Sequence, residues 1–310
     1  MRGLRESFLG SALGTAVGDA LGRAVEGWSR ELIRVRFGLL EEVIDGRYTD
    51  DTEMMIGLME ALLDDPEFDP QKAARRFLEN FDPFRGYGAR IFAVMERLRR
   101  GLPWDQVGTD SWGNGAAMRV APIGFFFHHD LEKLKEKAIL SALITHKHPD
   151  GVAGAVAQAM AVGIVTRWAR DSRKVDREEM LGRIAEAVSD LSPGFASELQ
   201  KLRDLPEGMD PLRGSDFLAR TFPCDISAKG AVPAAISAFL MSGSFEEAVV
   251  MAVNAGGDTD TLGAMTGAIA GAYYGFDAIP QRWLERLEEG PKGKAYIMKL
   301  AEKLCMLKEK

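Results

Sequence analysis

The chain has 310 residues, of which 46% are hydrophobic and 27% charged, and its formal net charge is -7. These values are typical of a folded globular protein and exclude the disordered and fibrous classes. An acidic chain without long basic blocks is also a poor match for a nucleic-acid groove, whereas acidic clusters suit the binding of cations.

Apolar residues recur at spacings of three and four along nearly the whole chain, which is the periodicity of amphipathic helices. This pattern predicts helices near residues 8–17, 54–62, 71–79, 88–100, 131–144, 151–169, 177–190, 227–240, 245–253, 260–274 and 293–308. Short segments rich in Pro, Gly and Asp separate them, with 204–213 as the most exposed loop, and no alternating strand pattern occurs. We therefore predict an all-α fold, a single compact orthogonal bundle of helices forming one domain over residues 1–310.

Two of the predicted helices carry glycines at a four-residue spacing. These glycines are Gly10, Gly14, Gly18 and Gly22 near the start, and Gly263, Gly267, Gly271 and Gly275 near the end. The spacing aligns them on one helix face, where another backbone can approach closely. Close packing would offset the helix stability that each glycine loses, roughly 1 kcal/mol relative to alanine. The apolar runs are short and bounded by acids, so we expect no membrane partner.

The two cysteines, Cys224 and Cys305, lie far apart in sequence and belong to no CxxC or Cys/His motif. This argues against a disulfide framework and against structural zinc. The first 25 residues lack a continuous apolar stretch, because Glu6 and Asp19 interrupt them, and this is not the pattern of a signal peptide. We expect a cytoplasmic location.

Two distant segments, YTDDTEMM (48–55) and NAGGDTDTLG (254–263), each place paired carboxylates at the start of an apolar helix. Their polar residues are Thr49, Asp50 and Asp51 in the first and Asp258, Asp260 and Thr261 in the second. Adjacent ionised acids repel each other and are costly to bury without partners. If the two segments meet, two divalent cations would balance the four aspartates. An all-oxygen set favours Mg²⁺ or Mn²⁺ over zinc.

Helix capping is the alternative explanation for these acids. Thr49 or Asp50 could cap the first helix, with Glu53 completing a capping box, and Asp258 could cap the second. Capping accounts for one acid at each helix but not for two, so metal binding is the preferred hypothesis.

Three further segments contain small and polar residues: GDALGRAVEG (18–27), DSWGNGAAMR (110–119) and THKHPDG (145–151). Taken singly, each is compatible with an ordinary loop. Free backbone amides in a turn such as 110–119 can hold phosphate, and Trp112 could stack on a base or ribose. The histidines of the third segment, two residues apart, form no zinc motif.

Together and in this order, GDALGRAVE, YTDDTEM, GNGAAMR, THKHPDG and NAGGDTDTLG resemble the ADP-ribosylglycohydrolase family over residues 10–275. The resemblance implies that family's all-α fold and a dinuclear magnesium or manganese site. It also implies hydrolysis of the glycosidic bond between the distal ribose of ADP-ribose and an acceptor. The acceptor would be an ADP-ribosylated protein side chain, arginine or serine, or the acetyl group of O-acetyl-ADP-ribose.

The resemblance also implies roles for individual residues. The two metal motifs match at Thr49, Asp50, Asp51, Asp258, Asp260 and Thr261. Glu26 matches a mobile glutamate implicated in catalysis, and we take it as the acid/base, with the metal-adjacent Asp258 as second candidate. The positions that match substrate-binding residues are Asp19, Ser111, Trp112, Gly113, Asn114 and His146.

Two other functions remain open from the sequence. Two cations in an oxygen cage also suit a phosphohydrolase acting on a nucleotide, by in-line attack at phosphorus. A relative that binds ADP-ribose without turnover is the second alternative. The products released, and the dependence of turnover on metal, distinguish the three.

Overall fold

The structure, a computed structural model, describes residues 3–309 as helices joined by short loops. The α-helices are α1 (Leu4–Arg23), α2 (Arg30–Phe37), α3 (Asp50–Asp64), α4 (Pro70–Asn80), α5 (Ala89–Arg99), α6 (Trp104–Val107), α7 (Ala121–Phe126), α8 (Leu131–Leu143), α9 (Pro149–Arg170), α10 (Arg177–Ser189), α11 (Pro193–Gln200), α12 (Pro211–Thr221), α13 (Ala228–Met241), α14 (Phe245–Val253), α15 (Thr259–Tyr274), α16 (Gln281–Arg286) and α17 (Lys294–Lys308). Three 3-10 helices are η1 (Asn114–Ala116), η2 (Lys201–Asp204) and η3 (Phe276–Ala278). Residues 3–309 contain no β-strand, so the predicted all-α fold is confirmed.

All the predicted helices occur, but the sequence reasoning missed several short ones. The missed helices are α2, α6, α7, α11, α12 and α16. All but α12 have eight residues or fewer, which is too short for a helical period to stand out. The prediction of an exposed loop over 204–213 needs correction, because α12 begins at Pro211 and Leu205 is buried.

Helices α1 and α15 cross antiparallel with their backbones in contact. A Cβ atom on Gly14 would lie 2.2 Å from the carbonyl oxygen of Gly267, and one on Gly18 would lie 2.1 Å from that of Gly263. No side chain fits at these positions, so the predicted role of the glycines is confirmed. Because the two helices run in opposite directions, the end of α1 lies beside the start of α15.

Helix α9 runs through the interior of the protein, against α7, α8, α10, α13 and α15. It is the one helix within residues 3–309 that is long and apolar enough to cross a membrane, with a mean hydropathy of 1.3. However, 94% of that apolar window is buried inside the protein. This burial is what a core helix of a globular protein requires.

Most of the apolar core forms one large cluster that extends from Phe8 in α1 to Cys305 in α17, and Ala116, Ala142, Val152 and Ala155 form a second, small one. Trp168 and Trp283 are among its largest buried side chains. Cys305 and Cys224 are both free and buried. This core fixes the helix ends from which the loops of the candidate site emerge.

Candidate metal and ligand site

The two segments with paired carboxylates form the N-termini of α3 and α15, and both line one cavity of about 420 Å³. Asp50 and Asp51 come from α3, Asp258 and Asp260 come from the start of α15, and Glu26 comes from the turn after α1. Carboxylate oxygens of Glu26, Asp258 and Asp260 lie within 4.8 Å of one another. The fold therefore brings together acids that are far apart in sequence.

Backbone hydrogen bonds tie the turn after α1 to the glycines before α15. The N–H of Gly27 donates to Gly257 O at 2.8 Å, and the N–H of Gly257 donates to Trp28 O at 2.9 Å. Gly256 and Gly257 have φ values of 80° and 81°, which favour glycine. A Cβ on Gly257 would also lie 2.0 Å from Cys224 O. These two glycines therefore allow the chain to enter α15 beside the turn.

Helix capping leaves the paired carboxylates unexplained. Thr49 is the N-cap of α3, and its side chain accepts a hydrogen bond from the N–H of Asp51 at 3.3 Å. Asp258 occupies the N-cap position of α15, but its side chain makes no capping hydrogen bond. Glu53 completes no capping box, because it accepts a hydrogen bond from the Tyr87 hydroxyl at 2.5 Å.

Burial raises the pKa of the carboxyl groups of Asp50, Asp51 and Asp260 well above the usual range. Neighbouring acids add to this effect, chiefly Asp260 for Asp51 and Asp258 for Asp260. The Oδ2 atom of Asp51 is buried and has no hydrogen-bond partner within the described part of the chain. A cation would remove both the repulsion and the unsatisfied oxygen.

The donor set fits a hard divalent cation. The side chains that line this end of the cavity, Asp50, Asp51, Asp258, Asp260 and Thr261, offer only carboxylate and hydroxyl oxygens. Oxygen sets of this kind suit Mg²⁺ or Mn²⁺. Thr49, the remaining predicted ligand, is 3% exposed and does not line the cavity, and its hydroxyl is engaged in capping α3.

Asp19 lies behind the cavity and not in it. It is fully buried, and its carboxylate accepts hydrogen bonds from the N–H of Thr49 at 2.9 Å and from the Thr52 hydroxyl at 2.6 Å. Burial raises the pKa of Asp19 to about 6, although these hydrogen bonds favour the ionised form. Sequence reasoning put Asp19 against the substrate, and this needs correction, because the contacts make it a residue that positions the start of α3.

The predicted ligand loop and His146 line the same cavity as the acids. Within the loop, Ser111 Oγ accepts a hydrogen bond from the N–H of Gly113 at 3.3 Å. The Asn114 amide donates to Asp258 Oδ2 at 2.5 Å, which joins the loop to the acidic end. The Trp112 side chain is 41% exposed at the cavity wall, where it can contact a bound molecule.

Isolated β-bridges hold the loops of the site in place. They pair Thr109 with His146, Gly113 with Ser227, and Ser29 with Gly256. The bridges connect segments whose neighbouring helices are distant in sequence. The cavity walls are therefore fixed by backbone hydrogen bonds as well as by helix packing.

Sequence reasoning missed Arg119 and Thr145, which also line the cavity. Arg119 is fully buried, with an exposed fraction of 0%, so it lies in the wall of the cavity and not at the protein surface. The available signal was a single arginine within an otherwise apolar run, AAMRVAPIGFFF (116–127). A charged residue in such a run must be buried with partners or reach a cavity.

Comparison with known proteins identifies the relatives of this chain. The model of the ADP-ribosylglycohydrolase family matches residues 1–310. The chain belongs to the ADP-ribosylglycohydrolase family. Its fold is thus the all-α fold of that family, and its relatives support ADP-ribosyl hydrolase activity.

Individual family members match most or all of the chain. An uncharacterised protein of Archaeoglobus fulgidus is 36% identical, over 98% of this chain and 97% of its own. ADP-ribosylhydrolase ARH3 of Homo sapiens is 31% identical, over 78% of this chain and 74% of its own. The solved structure of an ADP-ribosylglycohydrolase-related protein complex has a TM-score of 0.76 and 30% identity, with 99% of both chains covered.

Proposed function

We propose that this protein is a hydrolase, dependent on divalent metal, that cleaves the glycosidic bond between the distal ribose of ADP-ribose and an acceptor. One observation carries the proposal: four aspartates from two distant helix N-termini line one cavity, and capping leaves them unexplained. The acceptor is an ADP-ribosylated protein side chain or the acetyl group of O-acetyl-ADP-ribose. Family membership and the metal dependence general in the family support this proposal.

Two Mg²⁺ or Mn²⁺ ions would be held by Asp50, Asp51, Asp258, Asp260 and Thr261. When bound, the metal supplies Lewis-acid polarisation and a template for the ribose hydroxyls. The Asn114 amide holds Asp258 through its hydrogen bond, which leaves the second oxygen of this carboxylate for other contacts. Thr49 would support this site indirectly, because its side chain caps the start of α3, from which Asp50 and Asp51 come.

Glu26 is our choice for the residue that transfers protons. Cleavage through an oxocarbenium-like state requires a protonated leaving group and an attacking water. Burial and the charge of Asp258 raise the pKa of Glu26, so more of it is protonated near neutral pH than of an ordinary glutamate. The side chain stands on an exposed turn, from which it can give a proton to the leaving atom of the acceptor and take one from water. Asp258 is the second candidate.

Glu26→Gln tests this assignment, because glutamine keeps the shape of the side chain but cannot transfer the proton. We expect kcat to fall roughly 10²-fold to 10⁴-fold while Mg²⁺ binding, measured by calorimetry, is retained. Glu136→Gln is the matched control, since the side chain of that glutamate is 63% exposed and its ion pair is with the adjacent Lys137. Unchanged turnover in Glu26→Gln would remove Glu26 from the mechanism, and lost metal binding would make it a ligand.

A product assay tests the function itself. The protein is incubated with arginine-linked, serine-linked and O-acetyl conjugates of ADP-ribose, with Mg²⁺, with Mn²⁺ and with chelator. We expect metal-dependent release of free ADP-ribose from at least one conjugate. Release of AMP or phosphate would instead favour a phosphohydrolase, and binding without turnover would favour a non-catalytic relative.

The same proposal includes two expectations from the sequence. One is a single domain over residues 1–310. The other is a cytoplasmic protein whose partners are ADP-ribose conjugates, with no nucleic-acid or membrane partner.

A further inference from the structure

A buried hydrogen-bond chain runs from Arg119 through Thr145 to His146. The Nη2 of Arg119 donates to Thr145 Oγ1 at 2.8 Å and to Ser141 O at 2.9 Å. Thr145 Oγ1 in turn lies 2.7 Å from Nδ1 of His146. The chain ends at a ring that lines the cavity.

The guanidinium of Arg119 is held rigidly by three helices. Its carbon lies 4.7 Å from the centre of the Phe77 ring on α4, and its Nη1 lies 3.6 Å from Met54 Sδ on α3. Ser141 on α8 provides the carbonyl acceptor. Burial lowers the pKa of Arg119 to about 9, so the group is still protonated at neutral pH. A protonated guanidinium only donates hydrogen bonds.

The direction of every bond in the chain follows from that donor. Thr145 Oγ1 must accept from Arg119, and its own hydroxyl proton then needs an acceptor. Thr145 is 1% exposed, and among residues 3–309 the acceptor within hydrogen-bond distance of its hydroxyl is His146 Nδ1. With the proton on Nδ1 instead, the hydroxyl would receive two donors and its own proton would be buried without a partner.

The other ring nitrogen of His146 is directed to the ligand space. A Cβ on Gly115 would lie 3.3 Å from Nε2, and one on Gly113 would lie 3.8 Å from it. Glycines at both positions keep the approach to Nε2 open. Burial, and then the charge of Arg119, lower the pKa of His146 to about 3, so the ring is neutral at physiological pH.

We propose that Arg119 and Thr145 are positioning residues that fix His146 as the Nε2–H tautomer, so that its ring donates a hydrogen bond to an oxygen of the bound ligand. The identity of that ligand as an ADP-ribose conjugate rests on the proposed function. The tautomer does not, because it follows from bonds inside the protein. A neutral ring that donates through Nε2 selects an acceptor oxygen and leaves proton transfer to other groups.

Nitrogen-15 NMR of the ligand-free protein tests the tautomer directly. The chain has four histidines, so selective labelling gives few ring signals, and His146→Gln identifies those of His146. We expect the wild-type ring to carry its proton on Nε2. A ring with the proton on Nδ1, or an even mixture of the two, would overturn the inference.

A matched pair of variants tests the role of Thr145. Thr145→Val keeps the shape and removes the hydroxyl, whereas Thr145→Ser keeps the hydroxyl. We expect Thr145→Val to populate the Nδ1–H tautomer and to raise KM roughly threefold to tenfold with little change in kcat, because the lost bond serves binding. Thr145→Ser should restore both readouts. An unchanged tautomer in a folded Thr145→Val protein would contradict the proposal.

Failure of the proposed function would give a different result from failure of the tautomer assignment. In that case the wild-type protein would neither bind ADP-ribose nor release it, while the NMR signals of His146 would still report the Nε2–H form. If ADP-ribose binds, its addition should shift the His146 Nε2–H signal in the wild type. Binding that leaves this signal unmoved would refute the contact between the ring and the ligand.

Discussion

At the scale of single residues, Asp51 is the clearest case of a side chain that is unfavourable without a ligand. It is 2% exposed, one of its oxygens has no hydrogen-bond partner among residues 3–309, and the nearby charges are those of other acids. A buried, unpaired carboxylate destabilises a folded protein. Its presence in the cavity therefore indicates that function, and not stability, accounts for it.

Replacing Asp51 should separate stability from metal binding. We expect Asp51→Asn to raise the free energy of unfolding of the metal-free protein by about 1 kcal/mol or more, because a neutral amide is easier to bury. The same variant should lose most of the increase in Tm that Mg²⁺ gives the wild type. Asp277→Asn, at an exposed position, is the control and should change neither. A less stable metal-free Asp51→Asn protein would contradict this interpretation.

His128 should make the protein sensitive to acid. It is 3% exposed, its Nδ1 lies 2.7 Å from Phe125 O, and burial lowers its pKa to about 4. The unfolded chain protonates this histidine near pH 6.5, so its contribution is present above that pH and is lost as pH falls towards 4. Urea unfolding at pH 7 and pH 4.5 should show wild type losing roughly 2 kcal/mol more than His128→Gln. Equal losses of unfolding free energy in both proteins would show that His128 is not the source of the acid sensitivity.

At the scale of elements, the packing of α1 against α15 positions the site. Their glycines pair in an antiparallel register, so the turn that carries Glu26 is adjacent to the start of α15. A second tie runs from Asp19 in α1 to the N-terminus of α3. Helix α1 thus contacts both of the helices that carry the paired aspartates.

A methyl group at this contact should be poorly tolerated. Gly14→Ala would place its Cβ 2.2 Å from a backbone oxygen of α15, which cannot move without shifting the helix. We expect a loss of about 3 kcal/mol or more, or failure to fold. Gly182→Ala on α10 is the control, because no atom of residues 3–309 beyond the adjacent residues and the backbone of its own helix lies within 4 Å of its Cβ position, and it should gain about 0.5–1 kcal/mol. Chemical unfolding of both variants measures the difference, and equal stabilities would contradict the packing argument.

At the scale of the whole molecule, the site exists only in the folded chain. Its acids come from both ends of the sequence and meet because α1, α3 and α15 pack together. A cation that binds all of them binds the folded state and not the unfolded one, so it stabilises the fold. Under the proposed function, activity and stability are therefore linked through the same ions.

The sequence was sufficient for those features that a local pattern encodes. Helical periodicity predicted the long helices, and the four-residue glycine spacing predicted the close packing of α1 and α15. The paired aspartates predicted the acidic cluster. The position of Asp19 could not be predicted from the sequence, because its partner, Thr49, lies 30 residues away at the start of α3. The same holds for Arg119 and Thr145, whose contact depends on how α3, α4 and α8 pack around them.

The most direct test of the central claim is anomalous X-ray scattering from crystals of this protein soaked in Mn²⁺. The account predicts two anomalous peaks in the cavity, with carboxylate oxygens of both Asp50 or Asp51 and Asp258 or Asp260 within ligand distance. Peaks bound by one helix alone, or no peak in the cavity at saturating Mn²⁺, would contradict it.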